Sequence, residues 1–154
     1  MGGTLAVDPS SKFLYVALGS PTGGIAAFTI SATGALAPVA GSPFPAGNLP
    51  VYIALHPSGQ FLYAMNTFDR TISAFSVNQT SGALAALTGS PFSAGGAIGG
   101  IAIDHSGSYL YAANPGGNNI LLFTINSMTG TLMPASTPSF ATQSPTTVLT
   151  VYNP

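Results

Sequence analysis

Seven side chains in this 154-residue sequence carry or can take up charge near neutral pH: Lys12, Arg70, Asp8, Asp69, Asp104, His56 and His105. Hydrolysis of an ester or lactone needs a base to activate water and a cation or donor set to hold the oxyanion. A metal site needs three or four converging ligands. The spacing of these seven speaks against both. Asp8, His56 and Asp104 recur at an interval of 48 residues. Residues at equivalent places in a repeat point the same way and do not meet at one atom. Each heads a short polar turn, as in Asp8-Pro9-Ser10, where a carboxylate or imidazole accepts local N–H groups. His105 lies one place further along, in a turn of the same kind. Asp69-Arg70 is the single charge cluster and reads as a surface ion pair or turn, with ligand anchoring as the alternative. No Gly-x-Ser-x-Gly elbow is present, and neither Gly95-Gly96 nor Gly116-Gly117 opens a helix with a Lys.

Composition narrows the functional classes further. Charged residues make 3% of the chain, against about a quarter in an ordinary soluble domain. The net charge of -1 excludes an electrostatic nucleic-acid binder. There is no Cys, so disulfides and thiolate chemistry are out, and no cofactor or metal is expected. Apolar residues make 46%, enough for a packed core. Gly, Pro or Ser interrupts every apolar run well short of the ~20 residues a membrane helix needs, so no membrane insertion is expected. Met1-Gly2-Gly3 lacks the basic segment and apolar core of a secretory leader. So little charge among so many Ser, Thr and Asn suits an extracellular or periplasmic protein. Asn78-Gln79-Thr80 is a lone glycosylation sequon.

The elements that position these residues come from a repeat. Leu14-Tyr15, Leu62-Tyr63 and Leu110-Tyr111 lie 48 apart, as do Gly34, Gly82 and Gly130, and Phe44, Phe92 and Phe140. Phe28, Phe75 and Phe123 lie 47 and 48 apart, so one loop has changed length. Each repeat predicts four short strands. The first are Leu5–Val7, Ile53–Leu55 and Ile101–Ile103, wholly apolar and hence buried on both faces. The second are Phe13–Ala17, Phe61–Met65 and Tyr109–Ala113. The third are Ile25–Ile30, Thr71–Val77 and Asn119–Ile125. The fourth are Leu36–Val39, Leu84–Leu87 and a weaker Leu132-Met133. Gly59 and Gly107 supply the left-handed residue of the first turn, where Ser11 stands in the first repeat and strains it. The Tyr15, Tyr63 and Tyr111 column reads as packing between sheets.

Four antiparallel strands repeating every 40–50 residues describe a β-propeller blade, with a β-solenoid as runner-up. The expected fold is all-β: three four-stranded antiparallel blades over about 4–48, 49–96 and 97–143, and an extra inner strand over 146–152, all in one domain, 1–154. The first strands should lie nearest the axis and the Gly-Ser-Pro-Phe segments at the rim. Three blades do not close a ring, so homo-oligomerisation or docking with other blades is expected. A two-chain, six-blade ring is the simplest form.

The segment Ile53-Ala54-Leu55-His56-Pro57-Ser58-Gly59-Gln60-Phe61-Leu62-Tyr63-Ala64-Met65-Asn66, repeated at 101–114, resembles the YVTN-type propeller repeat. It is similar to the lactonase family of seven-bladed propellers, which includes 6-phosphogluconolactonases and muconate-lactonising enzymes. That family implies a Pro-Arg-His segment before a first strand and a Glu after the Asn that ends a second strand. Here Pro50-Val51-Tyr52 occupies the first place, and Thr67 or Pro115 the second, so no catalytic residue carries over. Leu18 replaces the motif's Asn in the first repeat. The expectation is a non-catalytic scaffold or binding module, with a partial lactonase-type hydrolase as the alternative. Tyr52, Gly100 and Val148 hold matched places toward the ring centre. The candidate ligand-binding residues are Tyr52, His56, Asn66, Arg70 and Asn114.

Overall fold

The computed structural model describes residues 3–96 and 99–141, with the side chains of 136–139 left undescribed. The expected terminal strand over 146–152, with Val148, lies outside the described residues. Three antiparallel sheets follow one another along the chain. The first holds β1 (Leu5–Val7), β2 (Phe13–Ala17), β3 (Gly24–Ile30), β4 (Leu36–Pro38) and β5 (Phe44–Pro45). The second holds β6 (Pro50–Leu55), β7 (Phe61–Asn66), β8 (Thr71–Val77), β9 (Leu84–Ala86) and β10 (Phe92–Ser93). The third holds β11 (Gly100–Ile103), β12 (Tyr109–Asn114), β13 (Asn119–Ile125) and β14 (Leu132–Ala141). Among the described residues the one helical feature is a 3-10 turn at Pro115–Gly117.

The outer strand differs from expectation in all three blades. In the first two it is broken, and both pieces pair with the third strand. At the break a serine replaces the missing ladder acceptor: Ala27 N–H donates to Ser42 Oγ and Ala74 N–H to Ser90 Oγ, both at 2.9 Å. The third blade lacks the Gly-Ser-Pro break. Its outer strand runs ten residues, with one register shift between Leu121 and Phe123.

First strands lie side by side. Thr4 N–H donates to Val51 O (2.7 Å), and Ile53 N–H donates to Thr4 Oγ1 (2.9 Å). β5 and β10 sit across β3 and β8 from these first strands, at the far side of their sheets. β11 is buried throughout, as expected. β1 is not: Leu5 is 62% and Val7 48% exposed, since β1 lies on the outer face of the first sheet described.

Alternation along each strand divides the core in two. Phe13, Tyr15, Ala17, Ile25 and Ala27 meet Leu62, Ala64, Phe75 and Val77 between blades one and two. Phe61, Tyr63, Met65, Ile72 and Ala74 meet Ile101, Ile103, Leu110, Ala112 and Phe123 between blades two and three. The tyrosine column crosses both interfaces. The Tyr15 hydroxyl donates to Gly82 O (3.0 Å) and the Tyr63 hydroxyl to Gly130 O (2.8 Å). Burial pushes both phenols well above their ordinary range, and the Asp8 charge adds to this at Tyr15.

Ser11 has φ 58, whereas Gly59 and Gly107 at its place have φ 73. A left-handed non-glycine costs about 1–2 kcal/mol. A glycine there gives back about 0.5–1 kcal/mol in unfolded-chain entropy. Ser11→Gly is therefore expected to stabilise the protein by about 0.5–1 kcal/mol, read as a higher urea midpoint at unchanged m value.

Candidate functional site

The strand directions sort the ionisable groups into two ends. β6 runs from Pro50 to Leu55 and β7 returns from Phe61 to Asn66, with Pro50 opposite Asn66 and Leu55 opposite Leu62. His56 therefore lies at the end where strands one and two join. Asp8 and Asp104 lie at the same end of their own blades. Asn66, Asp69, Arg70 and Asn114 lie at the other end. A six-residue strand at about 3.3 Å per residue separates the two ends by about 17 Å.

At the first end the ionisable groups are spent on turns. Asp8 Oδ1 accepts the N–H groups of Lys12 and Phe13, both at 2.6 Å, and Oδ2 accepts Ser10 N–H at 2.9 Å and the Ser10 hydroxyl. Asp104 repeats the pattern with Tyr109 N–H (2.8 Å), Ser106 N–H (3.2 Å) and the Ser106 hydroxyl. Burial raises both carboxyls, but the serine hydroxyls and backbone amides outweigh it. Both are held below the ordinary carboxylate range.

A carboxyl depressed in the folded state stabilises the fold above its unfolded pKa, about 3.9. That stability drains as pH falls through the folded value. The melting temperature is therefore expected to drop below about pH 4. Asp8→Asn and Asp104→Asn should each flatten this acid limb in melts recorded against pH.

His56 is buried and makes two kinds of contact. Nδ1 lies 3.1 Å from Ser58 N–H and 2.7 Å from Ser58 Oγ, the local capping expected from the sequence. Nε2 lies 3.0 Å from Gly107 O in the next blade. A carbonyl only accepts, so the network assigns the proton to Nε2 and leaves Nδ1 to accept. The ring also stands edge-on to Phe61, with centroids 5.7 Å apart. The sequence shows the cap and not the bond to Gly107, which depends on blades packing side by side.

The other end gathers four of the five candidate residues along the arc. Asn66 is fully buried. Its amide donates to Thr71 Oγ1 (3.0 Å) and Ser73 Oγ (2.8 Å), while Oδ1 meets no hydrogen-bond partner. Thr67 Oγ1 is likewise buried and unpartnered. Asn114 donates to Asn119 Oδ1 (2.8 Å) and accepts Gly117 N–H (3.2 Å). Both asparagines shape the turn between strands two and three, with Arg70 and Asn118 left-handed at matched places (φ 56 and 50). A Cβ on Gly47 would lie 2.5 Å from Asn66 Nδ2, so the preceding connection packs directly on this amide. Tyr52 is half-buried against the core between blades two and three.

Asp69 does not work with Arg70. Its Oδ2 accepts Asn48 N–H at 2.6 Å and forms one wall of a groove of about 390 Å³. Pro21, Gly24, Phe44 and Gly47 line the rest. Sequence reasoning passed over this groove, because its wall joins a loop of blade one to a loop of blade two. The charge pair at 69–70 was the signal, but it marked a capped loop. Among the described residues, no group of three His, Cys, Asp or Glu side chains is placed to hold a metal ion. Also among them, no helix is long and apolar enough to cross a membrane.

No curated protein matches this chain. Solved structures do. A candidate 6-phosphogluconolactonase from Bacteroides fragilis is 26% identical with a TM-score of 0.76, over 94% of this chain and 40% of that one. Another from Bacteroides uniformis is 27% identical with a TM-score of 0.75, over 92% and 41%. The periplasmic gluconolactonase of Pseudomonas aeruginosa shares the fold, with 21% identity and a TM-score of 0.77 over 92% and 40%. This chain thus spans about two fifths of the length of these structures. The family model for the lactonase seven-bladed β-propeller matches residues 4–150, and three blades with that repeat are what the sheets describe. The chain belongs to the lactonase family of seven-bladed β-propellers.

Proposed function

We propose that this chain is a non-catalytic propeller unit, a scaffold that presents the loops at the Asn66–Asn114 end to a small uncharged ligand. The observation that carries this reading is the split between the two ends. His56, Asp8 and Asp104 are engaged in turns and blade contacts at one end. Arg70 lies at the other, about 17 Å away along the strands. Lys12 shares the first end but stands exposed on the turn of blade one, and Asp69, which shares the second end with Arg70, is engaged by Asn48 N–H. What the second end exposes is the groove beside Asp69, the partly buried Tyr52 ring and the Arg70 side chain, while the buried Asn66 and Asn114 hold the loops that frame them. Such a set suits the hydroxyls of a sugar or lactone, with Arg70 as the outer anchor. The ring is completed by association with further blades, as a homo-oligomer in the simplest case. The similarity to a periplasmic protein supports a place outside the cytoplasm.

Family membership favours a second reading, a lactonase-type hydrolase of which these blades supply part. The purified chain separates the two when assayed against aldonolactones and muconolactone. The scaffold reading expects hydrolysis at the buffer rate. A rate clearly above buffer, abolished in Arg70→Ala, would establish the hydrolase instead.

A further inference from the structure

One groove lies away from both the turn chemistry and the ring centre. It runs between the loop that joins β2 to β3 and the connection from β5 to β6, with Asp69 of the β7–β8 loop as a further wall. Its volume of about 390 Å³ is at the lower end of the range for ligand pockets, about 300–1,000 Å³, so it suits one small ring and not a chain. Neither Tyr52 nor Gly100, which hold the ring-centre places, lines it.

The polar end of the groove is built from Asn48 and Asp69. The Asn48 N–H holds Asp69 Oδ2 at 2.6 Å, which ties down one carboxylate oxygen and leaves Oδ1 to accept. Among the described residues no hydrogen bond or ion pair holds that Oδ1 or the Asn48 side-chain amide. A Cβ on Gly47 would sit 2.9 Å from Asp69 Oδ2 and 2.5 Å from Asn66 Nδ2, so a bare backbone is what fits between the two side chains. The apolar walls are the half-buried Phe44 and the exposed rings of Pro21 and Pro45. Both polar side chains are departures from the repeat. At the interval of 48 residues Gly96 and Gly117 stand where Asn48 and Asp69 do, and the third sheet forms without either side chain. The propeller frame does not require the pair, and what they serve is the groove.

The geometry points to a binding site for one neutral sugar ring, a pyranose or pyranoside. This deepens the scaffold reading and rests on it, since it names the ligand of that end. A sugar hydroxyl both donates and accepts. One hydroxyl donates to Asp69 Oδ1, and its neighbour accepts from the Asn48 amide. The C–H face of the ring lies against Phe44, Pro21 and Pro45, apolar walls with a few placed polar groups being what small-molecule sites share. Asp69 is the single charged residue that lines the groove, so a phosphorylated or acidic sugar is repelled. An alkylammonium ion answers the carboxylate alone and leaves the Asn48 donor unused.

Titration of the nitrogen-15-labelled chain with the methyl glycosides of glucose, mannose and galactose tests this site. At least one of them, at millimolar concentration, is expected to shift the backbone amides of Gly24, Gly47, Asn48 and Asp69 and to leave those of Ser58 and Ser106 in place. Asp69→Asn removes the charge and keeps an oxygen for the Asn48 N–H. It should weaken that glycoside about tenfold or more. Asn48→Ala loses a side chain that makes no bond in the fold and should weaken it about threefold or more. It serves alone where Asp69→Asn disturbs the loop. The 6-phosphate of the same sugar should bind about tenfold more weakly or worse. No shift with any of the glycosides, shifts outside the groove, or variants that bind as wild type does would overturn the proposal. So would tighter binding of the sugar phosphate, or of butylammonium, which would assign the groove to a cation. A chain that ignores the glycosides and leaves lactones at the buffer rate loses the sugar site and keeps the scaffold reading. Lactone hydrolysis removes the scaffold reading whatever the titration gives.

Discussion

Gly82→Ala is expected to cost about 3–5 kcal/mol of stability, a large fraction of the roughly 5–15 kcal/mol that holds a folded domain. Two effects add. The residue has φ +74, where a Cβ costs about 1–3 kcal/mol. That Cβ would also sit 2.4 Å from Phe13 Cδ1, inside the first blade interface, and overpacking adds about 1–3 kcal/mol. The Phe13 ring has nowhere to go, since Tyr15 beside it is held to Gly82 O. Gly89→Ala is the control. It has φ +84, but its nearest neighbour is Phe92 Cε1 at 3.6 Å, so only the backbone cost of about 1–2 kcal/mol remains. Thermal melts should place Gly82→Ala roughly 10 °C below wild type and well below Gly89→Ala. Equal melting points would mean that the ring does not lie on the glycine.

His56→Ala is the second large effect, with an expected loss of about 2–4 kcal/mol. The variant removes the bond to Gly107 O and leaves that carbonyl unpaired between blades. It also removes the acceptor for Ser58 N–H and the edge-on contact with Phe61, worth about 0.5–1.5 kcal/mol. Urea denaturation at neutral pH reads this loss. A His56→Ala midpoint within error of wild type would remove the blade-to-blade role assigned to this residue.

Much of the fold was legible because the repeat supplies three readings of each element. Second and third strands fall where alternation puts them, and Tyr15 and Tyr63 of the tyrosine column pack between sheets, while Tyr111 lines a groove on the face of the third sheet. The split of the outer strand was not legible, since Ser42 and Ser90 act as ladder acceptors only once the chain has bent back. The exposure of Leu5 and Val7 was not legible either. An apolar strand reads as buried, and its exposure depends on which sheet packs against it, which no local pattern shows. At the candidate site, the cap under His56 follows from local turn chemistry. Its bond to Gly107, 51 residues away, and the Asp69 bond to Asn48 come from blade packing, which no local pattern encodes.

The central proposal is that the His56 imidazole and the Asp8 and Asp104 carboxylates hold turns and blades together and are not free to act on a substrate. The nitrogen-15 resonances of the His56 ring test it most directly. The account predicts a protonated Nε2 and a bare, hydrogen-bonded Nδ1 at neutral pH, with neither resonance moved by saturating aldonolactone. A bare Nε2 that shifts when the lactone is added would contradict it.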